Sequence, residues 1–303
     1  MRHYLLGLLS ILAILSSGCK KDPDLIPNND APYYSEVSDL LIENYIQRVY
    51  IDQIGREPFN AEMNSERLKL KAAELSFEAR ETMILNLQTS TDFIPGDISY
   101  QHAYYNRLYD QGKARFMEAA SNGEITEVMG PIAGGITADS LNGNWEGLAE
   151  RYSLLNKLQA VLDSEEKYMI GEIQISDMCA AMVNNAIYDD INMNTFNFVN
   201  ASFDNMFFRF PTEQEFFTGY NMVEFNQPGS LLGASGQNKD EYVRILADSR
   251  EFYEGLIGWS YQLMLAREPS TSETSTLMID LFVDHDLQKV QRSIMITDEY
   301  AHF

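Results

Sequence analysis

The chain has 303 residues, 45% of them hydrophobic, with 45 acidic residues against 22 basic ones, two cysteines and nine prolines. That is enough apolar material for one large domain or two small ones, and it excludes the disordered, collagenous and disulfide-stapled classes. A formal charge of −23 argues against nucleic acid as a partner and against adsorption to anionic headgroups, because both need clustered Lys and Arg.

In chain order, Arg2 and the apolar run 4–15 have the n- and h-regions of a secretory signal peptide, expected over 1–18. The run is too short to span a bilayer. It closes on Leu15-Ser16-Ser17-Gly18-Cys19, which resembles a bacterial lipobox, with Ser16 where an aliphatic residue is usual. The resemblance implies cleavage before Cys19, acylation of that cysteine and anchoring in the outer membrane, where two or three acyl chains bind stably. Residues 19–34, rich in Pro, Asp and Asn, read as the lipidated cysteine and a flexible tether. Cys179 is then the remaining thiol, so no disulfide forms, and its apolar helical surroundings make it a small buried hydrophobe.

From residue 35 to 303 the spacing is helical almost throughout, which predicts a single all-α domain. Helices are expected over 38–55, 61–75, 77–89, 99–121, 145–162, 176–188, 195–208, 213–225, 239–266, 271–284 and 286–299. Two Gly-rich loops, 130–147 and 227–237, are expected between them. The Gly255–Gly258 pair inside one long helix reads as a kink or a close packing point.

A repeat appears where helix ends are compared. Tyr50-x3-Ile54-x-Arg56-x-Pro58-x3-Glu62 matches Phe203-x3-Phe207-x-Arg209-x-Pro211-x3-Glu215 and Tyr261-x3-Leu265-x-Arg267-x-Pro269-x3-Glu273. A second element follows each copy: Ser90-Thr-Asp92-Phe93, Ser249-Arg-Glu251-Phe252 and Thr297-Asp-Glu299-Tyr300. Two linked elements recurring in one order define three units, over 43–93, 196–252 and 256–303.

The physical reading of the repeat is a helix, a sharp corner and further helices. Residues four apart share a helix face, so the aromatic and apolar positions enter the core. Arg suits a helix C-terminus, Pro forces a turn, and Thr212-x-x-Glu215 and Ser270-x-x-Glu273 are capping boxes. Copy one has Phe59 at the cap position, so Asn60 is expected to cap instead. Each Arg should bond helix-end carbonyls or an acid of its own unit, with Asp92, Glu251 and Glu299 the leading candidates.

These units resemble phycobilisome-linker-like helical repeats and uncharacterised helical domains of planctomycete-type surface proteins. The resemblance implies a helical scaffold with surfaces for other proteins, and it transfers no catalytic residue and no cofactor. The expected function is therefore a lipid-anchored scaffold or accessory subunit of an envelope assembly, with an envelope protein as partner. The runner-up is a glycan- or peptide-binding lipoprotein of an uptake system, and a hydrolytic enzyme without a recognisable motif comes third.

Other chemistry is weighed against plainer roles. His102, His285 and His302 read as surface histidines. Asp190-Ile-Asn192-Met-Asn194 opens like a calcium loop but lacks its glycine and closing glutamate, and the oxygens of 139–146 sit in the Gly-rich stretch, so solvated turns are the better reading. The aromatic stripe of Phe196, Phe203, Phe207 and Phe210, with Phe216 and Phe217 beyond, invites a ligand reading, but helical phase favours the core. Trp145, Tyr104 and Tyr105 are the candidate exposed ligand contacts. Local function is expected in the unrepeated segment 94–195.

Overall fold

The computed structural model describes residues 34–94 and 97–303. The signal peptide, Cys19 and all but the last residue of the tether lie outside them. Tyr34–Glu36 form one 3-10 turn, and residues 37–303 form one compact unit, all-α apart from a two-stranded hairpin.

In chain order the helices are α1 (Asp39–Ile54), α2 (Asn60–Ala72), α3 (Phe77–Thr89), α4 (Tyr100–Phe116), α5 (Asn122–Asn142), α6 (Trp145–Met169), α7 (Ile175–Val183) and α8 (Ala186–Asn192). There follow α9 (Thr195–Phe207), α10 (Glu213–Phe225), the strands β1 (Gly229–Leu231) and β2 (Ala234–Gly236), then α11 (Lys239–Asp248), α12 (Arg250–Leu265), α13 (Thr271–Asp284), α14 (Leu287–Met295) and α15 (Asp298–Ala301).

The repeat sets the architecture. Unit one runs α1, corner, α2, α3, and delivers the chain to α4. Unit two runs α9, corner, α10, α11 and delivers it to α12. Unit three begins with that same α12 and runs through its corner to α13, α14 and the short α15. One helix thus closes unit two and opens unit three.

The core follows from the periodicity. Tyr45, Ile46, Val49 and Tyr50 of α1 are buried together with Ile84 and Leu87 of α3. Leu256 and Ile257 of α12 and Leu287, Val290 and Ile294 of α14 extend the same interior. Gly255 serves as a close packing point, not a kink: a Cβ there would stand 2.2 Å from the Met206 carbonyl oxygen, so α12 crosses α9 with backbone against backbone.

Unit three packs back on unit one, α14 on α3 and α15 on α1. The Arg48 guanidinium donates to the Tyr300 carbonyl at 2.8 Å and to the Met264 carbonyl. The Tyr300 hydroxyl donates to Asp52 at 2.7 Å and the Tyr45 hydroxyl to the Met295 carbonyl at 3.2 Å. Arg80, fully buried, donates to the carbonyls of Leu75 and Ile296 and to Asp298.

Four expectations need correction. Residues 130–142 are not a loop but the C-terminal part of α5, which accommodates Pro131 and runs to Gly143 in the left-handed region at φ 67°. Ile125, Met129, Ile132 and Ile136 keep helical spacing there, and glycine, though a poor helix former, costs only about 1 kcal/mol per residue. The 239–266 stretch is two helices, because Ser249 is extended at φ −71°, ψ 149° and is at once the C-cap of α11 and the N-cap of α12. The 176–188 stretch breaks at Asn185, whose buried amide accepts from the N–H groups of Ile187 and Tyr188 and donates to the carbonyls of Ala181 and Met182. The 227–237 segment holds the β1–β2 hairpin, paired Gly229 to Gly236 through Leu231 to Ala234, with Leu232 and Gly233 both at positive φ as a two-residue hairpin turn needs.

Candidate functional site

The three corners place their named residues alike. In each, the helix ends on a left-handed residue, Gly55 at φ 74°, Phe208 at φ 58° and Ala266 at φ 52°. Its N–H closes the helix on the carbonyl of Ile51, Asp204 or Gln262. The next residue is the arginine, which forks onto the glutamate six places on. Arg56 meets Glu62 with two bonds of 2.8 Å, Arg209 meets Glu215 at 2.9 and 2.8 Å, and Arg267 meets Glu273 at 3.0 and 2.8 Å. Pro58, Pro211 and Pro269 sit between the partners and turn the chain so that both ends of the fork meet.

A second acid completes each site. Glu251 takes two bonds from Arg209 and Glu299 takes two from Arg267. In unit one the partner is Asp97, not Asp92. Asp92 is exposed, because α4 starts only at Ser99 and the acid that reaches the corner must come from just before that cap. The Tyr100 hydroxyl supplies a further bond to Glu62 at 2.6 Å.

Each glutamate also does a capping job. Glu62, Glu215 and Glu273 accept from the N–H groups of Phe59, Thr212 and Ser270. Phe59, not Asn60, holds the cap position in unit one, and a phenyl ring offers no acceptor, so Glu62 makes its half of the box alone. Bonds from Arg209, then the Thr212 backbone and hydroxyl, hold the Glu215 carboxyl down at about 2. Arg267 and then Ser270 hold Glu273 at about 2 in the same way.

The arginines lie over the aromatic residue six places before them. Arg56 is 5.8 Å from the Tyr50 ring, Arg209 is 5.1 Å from Phe203 and Arg267 is 4.9 Å from Tyr261. All three rings are buried, as are Ile54 and Phe207, while Leu265 is half-buried and Met264 takes the buried place beside it. The corners are saturated charge networks built for shape.

Two other features stand out from this frame. The first is an arm. The α5–α6 hairpin is buried at its base, through Ile125 and Leu158, yet no residue between 126 and 157 is buried. The 17-residue rise from Ile125 to Asn142 takes the tip about 25 Å from the base. Asn144 turns the chain there: its side chain caps α6 through the Gly147 N–H and donates to Asp139, which also takes a bond from Arg151. The oxygens of 139–146 therefore serve the turn. Leu141 at 82% and Trp145 at 70% exposure crown the tip.

The second is a groove of about 550 Å³ along α8 and α9, lined by Ile191, Asn192, Phe196, Asn197, Asn200, Ala201, Asp204 and Phe210. The expected aromatic stripe divides here: Phe203 and Phe207 are in the core, whereas Phe196, Phe210 and Phe217 face solvent. Asn192 donates to the Tyr188 carbonyl and Asn194 caps α9, so the calcium-loop spacing is spent on helix ends. No group of three or more potential metal ligands exists among the described residues.

Tyr104 and Tyr105 are not exposed contacts. Tyr104 is buried and donates to Gln291 at 2.7 Å. Tyr105 is half-buried, accepts from Gln288 at 2.9 Å and packs edge-on against Tyr168. Both lie on the inward face of α4, which a pair of adjacent tyrosines flanked by polar residues does not reveal. His102 is exposed, His285 packs on Tyr253, and His302 meets Arg48. Burial pushes the Cys179 thiol up to about 12.

Comparison with protein-family models, curated proteins and solved structures finds no match for this chain.

Proposed function

We propose that the chain is a lipid-anchored helical scaffold, or accessory subunit, of an outer-membrane protein assembly, held to the membrane by acyl chains on Cys19 and holding its partner through the α5–α6 arm. The observation that carries this reading is the arm itself. It leaves the body with its apolar residues no more than half-buried and with Leu141, Trp145 and Tyr152 exposed, and exposed apolar surface of this kind marks sites of protein contact. The corners supply the complementary property, a frame stiff enough to present it. The kinship of the three units with phycobilisome-linker-like repeats belongs to the same proposal and rests on their shared corner pattern.

Crosslinked capture from intact cells tests it. The full chain should retain one envelope protein in near-equal amount. A variant with residues 126–157 replaced by a short Gly-Ser link, or with Leu141→Ala and Trp145→Ala, should lose it. Undiminished capture by both variants would overturn the role of the arm. Cys19→Ser should abolish palmitate labelling and release the chain from the membrane fraction, and unchanged labelling would remove the anchor.

A further inference from the structure

We infer that the groove on α8 and α9 is a binding site for a neutral oligosaccharide, distinct from the arm and independent of it. The internal repeat supplies the argument, because it shows what the same places hold when no such site is present. Seven residues before and seven after the buried aromatic of the corner, unit one carries Glu43 and Glu57, and unit three carries Glu254 and Glu268. Unit two carries Phe196 and Phe210 at those two positions. The fold accepts acids at both, so the frame does not require the rings.

The rings flank one groove. Phe196 is 58% and Phe210 is 70% exposed. Phe196 packs edge-on against Phe216 with centroids 5.0 Å apart. Phe210 precedes Pro211, and its carbonyl accepts from Arg209 at 3.1 Å, so the unit-two corner fixes the backbone from which that ring projects. Between them α9 presents Phe196, Asn200 and Asp204 at intervals of four on one face, with Asn197 beside them and small Ala201 leaving room.

Lining of this kind has a specific chemistry. Flat apolar faces suit the C–H faces of pyranose rings, and the amides of Asn197 and Asn200 suit vicinal hydroxyls, Asn200 keeping its carbonyl oxygen and one N–H beyond its bond to the Phe196 carbonyl. Four apolar and four polar residues line the cleft, and its volume is in the range of small-molecule sites. Charge narrows the class further. The groove holds the Asp204 carboxylate and no cation, in a chain of net charge −23, so an anionic sugar would be repelled.

The test is a microarray of neutral and uronic-acid glycans probed with the full chain and with the double variant Phe196→Glu, Phe210→Glu, which installs the residues of the sister units and should therefore fold. Neutral glycans should be retained by the parent chain, with affinity falling about tenfold for each ring lost. Trp145→Ala should bind as the parent does, which separates this site from the arm. The inference is overturned if no neutral glycan is retained, if the double variant binds equally well, or if uronic-acid glycans are preferred. Retention of extended peptides in place of sugars, lost in the double variant, would overturn it in favour of a peptide groove.

Discussion

Arg56→Ala removes the most enclosed of the three corner cations, and the repeat makes its cost readable against its own siblings. The Arg56 side chain is 20% accessible and its partner Glu62 12%, whereas Arg209 and Arg267 are each 34% accessible. Truncation strips two forked bonds from Glu62 and leaves that carboxylate with the Phe59 N–H and the Tyr100 hydroxyl. It also takes the Arg56 bond from Asp97, which keeps the Ile98 N–H, and removes a cation stacked 4.1 Å from the Phe59 ring. Charge-assisted bonds in partly buried places are worth about 1.5–3 kcal/mol, and exposed pairs about 0.2–1 kcal/mol. We therefore expect a loss of about 2–3 kcal/mol for Arg56→Ala and about 1 kcal/mol for Arg209→Ala or Arg267→Ala. In a domain this large each kcal/mol lowers Tm by about 2–4 °C. Urea titrations at constant slope would measure the series, and Arg56→Lys should recover part of the loss, since an ammonium cannot fork. Equal losses at all three corners, or Arg56→Ala unfolding with the parent chain, would refute the reasoning from burial.

Ala266 occupies the left-handed place that Gly55 fills in unit one, so Ala266→Gly should stabilise, and Gly55→Ala destabilise, by about 1 kcal/mol each in thermal melts. Because Glu215 and Glu273 sit at about 2 in the folded chain and near 4.5 when unfolded, their contribution is full above about pH 4.5 and disappears as pH falls toward 2. Urea midpoints measured across that window should fall less steeply in Glu215→Gln than in the parent. Cys179, raised to about 12 by burial, should react with a disulfide reagent only at the rate at which the chain opens, and fast labelling of the native protein (with Cys19→Ser) would contradict its burial.

The corner was legible because its chemistry is local: aromatic, arginine, proline and glutamate act within a dozen residues, and sequence spacing fixes their meeting. Glu251 and Glu299 were legible for the same reason, since each follows a Ser or Thr cap by two places. Asp97 was not, because the extra residues between Ser90 and Ser99 moved the cap, and no pattern marks which acid then returns to the corner. The arm was hidden by composition. Gly130, Gly134, Gly135 and Pro131 speak for a loop one by one, whereas the spacing of Ile125, Met129, Ile132 and Ile136 decides for a helix. The groove is half visible in the sequence: the stripe of rings is plain, but one helix carries a buried face through Phe203 and Phe207 and an open face through Phe196, and telling the two apart needs the neighbours. Tyr104 failed in the opposite direction, its inward face set by α14 from the far end of the chain.

The embrace of α1 by α15 bears on the order in which this molecule can be made. A ribosome delivers residue 39 long before residue 303, yet the Tyr45 hydroxyl, the Arg48 guanidinium and Asp52 all meet groups between 264 and 302. The opening helix must wait for the closing one. Until those residues are made, unit one lacks these partners, so its packing is completed late in synthesis. A chain cut before residue 298 would therefore lose more than a short helix. It would leave Arg48 and Asp52 of α1 without the Tyr300 groups they meet.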